Sequence, residues 1–174
     1  SDLELDPVDP DKTGPISVSV LGAVDADGDG VDFLYRWFVD DVDVSQATIL
    51  EAAQFSRDDS IHVEVTPTDG VDLGDTLTSD TATVKNTAPS LFSVTLTPDP
   101  VASDGELDCA YVADNDLDGD AVYVDYEWYV EGQLVGESGN PLDSAYFSEG
   151  DSVECVVTPN DGDDVGAPLA SNTV

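Results

Sequence analysis

Positive charge is what this sequence has least of. Four Lys and Arg residues stand against 39 Asp and Glu, for a formal charge of −35. A protein that binds nucleic acid must neutralise phosphates with cationic side chains, so that class is excluded. Electrostatic attachment to an anionic membrane is excluded for the same reason. Histidine occurs once, at His62, and cysteine twice, at Cys109 and Cys155. That is too small a set for a zinc centre. Alternation sends His62 outward beside Glu64, and no Ser or Thr has a claim on it as a nucleophile, so no catalytic residues are assigned. No apolar run approaches the roughly 20 residues of a membrane helix, which argues against direct membrane insertion. No basic start precedes an apolar stretch as in a signal peptide.

What is present can still fold. Apolar residues make up 40% of the chain, enough for real cores, so acidity alone does not imply disorder. A length of 174 residues suits two domains of ordinary size. Self-repulsion at this charge opposes compaction, and bound cations or high salt would offset it. Most of the scattered carboxylates read simply as an acidic, solvated coat.

The chain is organised around Asp114–Val130, DNDLDGDAVYVDYEWYV, in which alternating carboxylates and a glycine lead into a strand ending near Trp128. The same design occurs earlier as DADGDGVDFLYRWFV, Asp25–Val39. A shift of 91 residues lays Asp25, Asp27 and Asp29 over Asp116, Asp118 and Asp120, and Tyr35 and Trp37 over Tyr126 and Trp128. With one further residue inserted, VEVTPTDG (Val63–Gly70) aligns with CVVTPNDG (Cys155–Gly162) and Phe55 with Phe147. The sequence is therefore an internal repeat. Its boundary is placed in Asn86–Ser90, where Pro89 biases Ala88 toward extended backbone, giving domains 1–86 and 87–174. Both termini fall within the repeat pattern, so the chain is read as a segment of something longer.

Periodicity within each repeat is two. Ile16, Val18 and Val20 share one face, with Leu107, Cys109 and Tyr111 at the matching places. Phe33, Tyr35, Trp37 and Val39 share the next face, as do Val124, Tyr126, Trp128 and Val130. Ile61, Val63 and Val65 form a third. Short strands between Gly, Pro and Asp clusters predict an all-β fold of two antiparallel β-sandwiches, and a tryptophan-bearing strand between two cysteine-bearing strands makes the type immunoglobulin-like. Single helical turns are expected within Leu50–Phe55 and Leu142–Phe147. In a sandwich of this type the second and sixth strands face each other across the core, which pairs Cys109 with Cys155 beside Trp128. Two buried free thiols are the alternative. The first repeat carries Val18 and Val63 at the same places.

Taken together, Asn86, Ala88, Pro89, Val94, Leu96, Pro98, the loop Asp116, Asp118, Gly119, Asp120, then Tyr126, Trp128, Phe147, Gly150, Asp151, Val153, Cys155 and Thr158, Pro159, Asp161, Gly162 form a pattern. It resembles bacterial immunoglobulin-like repeats, which occur in long, secreted, multi-repeat surface proteins. The first repeat departs from it with Asp58 for the glycine and valines for the cysteines. The resemblance spans nearly the whole chain and implies an extracellular or cell-surface, tandem, non-catalytic module.

Alternating aspartates on a glycine-bearing loop can turn several oxygens toward one hard cation. Asp25, Asp27 and Asp29 match the first half of a calcium-binding helical-hand loop, but Arg36 stands where a bidentate glutamate is needed, so a complete loop of that kind is rejected. In a sandwich the second-to-third and sixth-to-seventh strand loops emerge at one end. That brings Asp69 and Asp72 toward Asp25–Asp29, and Asp161, Asp163 and Asp164 toward Asp114, Asp116, Asp118 and Asp120. Calcium is the expected cofactor there, and a solvated acidic turn is the competing reading. The second repeat's acidic end is expected to face Asp40, Asp41, Asp43, Asp58 and Asp59 of the first, so that calcium would stiffen the joint at Asn86–Ser90.

The expected role is a structural spacer or stalk whose partners are neighbouring repeats. An adhesive module for glycan or protein, reading its ligand through loop tips or the outward Phe38 and Tyr129, is the main alternative. A self-assembling filament subunit is a third.

Overall fold

The computed structural model describes residues 3–22, 30–100, 105–114 and 116–174. The chain forms two compact units, Ser1–Thr87 and Ala88–Val174, each with its own core. The division falls one residue after the expected boundary, and Thr87 is tied to the first unit by the Lys12 N–H donating to its Oγ1 at 3.0 Å.

Strict alternation produces the strands. In unit 1 they are β1 (Leu3–Asp6), β2 (Ile16–Val20), β3 (Asp32–Val39), β4 (Val42–Ser45), β5 (Ile49–Leu50), β6 (Ser60–Thr68), β7 (Leu77–Thr78) and β8 (Ala82–Thr83). In unit 2 they are β9 (Leu91–Thr97), β10 (Asp108–Ala113), β11 (Tyr123–Val130), β12 (Gln133–Leu134), β13 (Val153–Asn160) and β14 (Leu169–Ala170). One sheet of unit 1 runs β1-β2-β5 and the other β4-β3-β6-β7, with β8 also on β6. Unit 2 repeats this as β9-β10 and β12-β11-β13-β14. All pairings are antiparallel. These are two immunoglobulin-like β-sandwiches. Single 3₁₀ turns at Ala52–Gln54 and Ser144–Tyr146 lie within the two segments expected to carry a helical turn.

The inward faces bury as alternation requires. Ile61, Val63 and Val65 are buried on β6, and Val153, Cys155 and Val157 on β13. Trp37 and Trp128 are fully buried at equivalent places, opposite Val63 and Cys155 in the ladder. Each indole still needs an acceptor for its N–H. Trp37 Nε1 donates to the Ala47 carbonyl at 3.0 Å and Trp128 Nε1 to that of Gly139 at 2.8 Å. Truncating either ring should cost about 3–5 kcal/mol. Cys109 and Cys155 are disulfide-bonded across the core of unit 2, with Cα atoms 6.4 Å apart.

The hairpins turn through acidic residues. Two-residue connections between twisted strands favour positive φ, and β3–β4 meets that with Asp40 (φ 49°) and Asp41 (φ 63°). The β11–β12 turn uses Glu131 (φ 51°) and Gly132 (φ 70°). The first turn residue then binds the start of the neighbouring strand. Asp40 Oδ1 accepts from Ser60 N–H at 3.0 Å, and Glu131 Oε1 from Ser152 N–H at 2.7 Å.

Candidate cation-binding loops

Asp116 is the hub of the loop between β10 and β11. Its Oδ1 accepts from the N–H groups of Asp118 at 2.9 Å and Asp120 at 3.2 Å, and its carbonyl accepts from Gly119 N–H at 3.2 Å. Gly119 sits at φ 88°, which an L side chain would strain. The second carboxylate oxygen, Oδ2, is buried and receives no hydrogen bond from the described residues. A buried, unsolvated carboxylate oxygen is costly unless a donor or a cation meets it. Asp114 is held differently. Its N–H donates to the Ser90 carbonyl at 3.0 Å, and its Oδ2 accepts from the Ser90 hydroxyl at 2.9 Å.

The β13–β14 loop lies against the same leading segment. A Cβ added to Gly166 would come within 1.9 Å of the Pro89 carbonyl oxygen, so only glycine permits that approach. Within this loop Asp161 Oδ1 accepts from Asp163 N–H at 2.8 Å and Asp164 N–H at 2.7 Å. Asp125, Asp163 and Asp164 line a shallow recess of about 270 Å³ with Asn160, Gly162 and Val165. Asp125 was not among the expected ligands, because alternation places it on the outer face of β11 with nothing to distinguish it from other surface acids.

Unit 1 builds the matching turn the same way. Asp69 Oδ1 accepts from Val71 and Asp72 N–H groups, both at 2.7 Å. Those amides, Asp72 first, favour the ionised form and lower the Asp69 pKa below its ordinary value. The Asp72 carbonyl in turn accepts from Thr68 Oγ1 at 2.8 Å. Asp25, Asp27 and Asp29 lie outside the described residues.

Asp69, Asp116 and Asp161 therefore act first as acceptors for turn amides, a role that residue type alone does not reveal. Around Asp116 the structure gathers Asp118 and Asp120 through the backbone. Among the described residues no three His, Cys, Asp or Glu side chains form a group that could hold a metal ion. The buried Asp116 Oδ2 has no hydrogen-bond partner among the described residues, and a hard cation completed by carbonyls and water is one group that could meet such an oxygen.

Two serines carry structure that their residue type does not announce. Ser79 Oγ accepts from Val63 N–H at 3.1 Å and donates to the Asp80 carbonyl at 2.8 Å. Ser171 Oγ likewise accepts from Cys155 N–H at 3.0 Å and donates to the Asn172 carbonyl. The signal was a serine directly after equivalent strands in both repeats, Ser79 after β7 and Ser171 after β14.

No protein-family model and no curated protein matches the sequence. Among solved structures the chain is similar to a crystal structure of chicken CNTN1 FN1-FN3 domains, at 14% identity and a TM-score of 0.38. The match covers 92% of this chain and 57% of that one, so this chain spans a little over half its length.

Proposed function

We propose that this chain is a non-catalytic spacer segment of a long extracellular bacterial surface protein, stiffened by calcium at its acidic loops. Two sandwiches with separate cores and short, hydrogen-bonded turns suit a load-bearing repeat. A disulfide across one core suits an oxidising compartment. The observation that carries the cation is Asp116, whose Oδ1 organises the loop while its buried Oδ2 receives no hydrogen bond from the described residues. A calcium ion there would supply the missing charge compensation and offset part of the −35 self-repulsion.

Small-angle scattering of the chelated chain, before and after calcium, tests the mechanical part. A change in maximum dimension or in inter-unit flexibility supports stiffening. Superimposable profiles at matched ionic strength oppose it.

A further inference from the structure

Asp69–Gly70, Asp118–Gly119 and Asp161–Gly162 are Asp–Gly pairs lying within the described residues. Such a pair can react with itself. With no side chain on the glycine to hinder approach, its amide nitrogen can attack the aspartate Cγ. A C–N bond forms, the carboxyl OH and the amide proton leave as water, and a five-membered succinimide results. Solvent water then opens the ring at either carbonyl. One opening restores aspartate; the other gives isoaspartate, whose main chain runs through the former side-chain carbons.

Asp69–Gly70 and Asp161–Gly162 are a matched pair. They follow β6 and β13 in turns closed by equivalent antiparallel bridges, Thr68 with Leu73 and Asn160 with Val165. Both glycines are exposed and left-handed, Gly70 at φ 91° and Gly162 at φ 98°. Asp69 Oδ1 and Asp161 Oδ1 each accept from the N–H groups two and three residues on, at 2.7 or 2.8 Å. The carboxylates are therefore held alike, and the nucleophile is what differs. Gly70 N–H donates to Thr68 Oγ1 at 3.0 Å, and that hydroxyl is itself fixed by donating to the Asp72 carbonyl at 2.8 Å. Gly119 N–H donates to the Asp116 carbonyl at 3.2 Å. Asn160 stands in the place of Thr68, and Gly162 N–H has no acceptor among the described residues.

We propose that Asp161–Gly162 is a site of spontaneous covalent modification, cyclising to a succinimide and reopening to isoaspartate, while the other two pairs are held back by their bound amides. A hydrogen-bonded amide must give up its acceptor before its nitrogen can turn toward Cγ and lose its proton. The solvent-facing Gly162 amide meets no such cost. The product carries one additional carbon in the main chain. Asp163 and Asp164 then lose the spacing that brings both N–H groups to the Asp161 carboxylate. The acidic turn of unit 2 thus loosens as the molecule ages, and that of unit 1 keeps its shape.

The test is prolonged incubation of the whole folded chain at neutral pH, followed by peptide mapping with electron-transfer fragmentation, which tells isoaspartate from aspartate at each pair. Isoaspartate should accumulate at Asp161 about fivefold faster than at Asp69, the factor that one net hydrogen bond supplies. In denaturing urea the two rates should converge, since only the shared Asp–Gly sequence then acts. Asn160→Thr should slow the reaction at Asp161, and Thr68→Asn should speed it at Asp69. Thermal melts check that both variants stay folded, and the comparison of Asp161 with Asp69 in the unaltered chain needs neither. Equal isoaspartate at the two sites of the folded chain would overturn the proposal. So would an Asp161 that stays intact while the denatured chain reacts at both, or a rate at Asp161 unchanged in folded Asn160→Thr.

Discussion

Asn172 and Leu96, 76 residues apart, form a closed pair of hydrogen bonds between a carboxamide and one residue's N–H and carbonyl. The pair joins the first and last strand regions of unit 2, so it fastens the edge where a sandwich opens most easily. Asn172→Asp keeps the shape and removes the donor. It should destabilise unit 2 by about 1–2 kcal/mol, since a strand carbonyl loses its partner. Urea unfolding followed by Trp128 fluorescence reads this directly; an unchanged midpoint would mean the bridge carries no net stability.

The disulfide distinguishes the two units thermodynamically. Cys109 and Cys155 are 46 residues apart. Closing a loop of that size removes unfolded-state entropy worth about 4 kcal/mol in the chain-entropy model. Reduction, or replacement of both cysteines by valine as unit 1 has at Val18 and Val63, should lower the stability of unit 2 and leave that of unit 1 unchanged. Two-transition urea melts with and without reductant check this, and an equal loss in both units would contradict it.

Asp58 holds φ 71° where unit 2 has Gly150 at φ 92°. An L side chain in that region costs about 1–2 kcal/mol, less what a glycine loses to its freer unfolded chain. Asp58→Gly should therefore raise the stability of unit 1 slightly, because the Asp58 N–H bond to the Val84 carbonyl at 2.9 Å survives the change. The reverse change, Gly150→Asp, should lower unit 2. Thermal melts of the two variants should move in opposite directions.

Glu137 ties the loop that receives the Trp128 indole. Its Oε1 accepts from Gly139 N–H at 2.8 Å and Ser138 N–H at 3.0 Å, and its Oε2 from the Tyr146 hydroxyl at 2.8 Å. The Gly139 amide, with the phenol and the Ser138 amide, lowers the Glu137 pKa, and Glu137 raises that of Tyr146. A lowered folded-state pKa means the contribution is complete above the ordinary value of 4.5 and is lost as pH falls through the lower folded value. Tyr146 works the other way: its contribution is complete below its ordinary value of 10.0 and is lost as pH rises through the raised folded value. Glu137→Gln should flatten the acid limb of the stability profile and return Tyr146 toward ordinary titration in a phenolate absorbance curve. An unshifted Tyr146 curve would contradict the pairing.

The sandwich was legible because burial follows period two so closely on β3, β6, β11 and β13. Trp37, Trp128, Val63 and Cys155 are inward at the places alternation gives them. The edge chemistry was not legible. That Asn172 reaches the Leu96 backbone depends on how the chain leaves β14, where Ser171 accepts from the Cys155 N–H, and only the folded chain shows that. The bonding within the acidic loops was not legible. Their residue types announce oxygen ligands, yet Asp69, Asp116 and Asp161 each bind two turn amides through Oδ1. Those bonds depend on backbone torsions such as φ 88° at Gly119, which only the folded loop reveals.

The most direct measurement is a calorimetric titration of calcium into the fully chelated chain, with sodium chloride at matched ionic strength as control. The account predicts saturable heat with a Kd of about 10⁻⁴–10⁻³ M, in the range of extracellular modules. It also predicts a rise in the melting temperature of unit 2, and loss of both effects in Asp116→Asn. Absence of saturable heat, with a melting temperature that responds to sodium and calcium alike once ionic strength is matched, would contradict it.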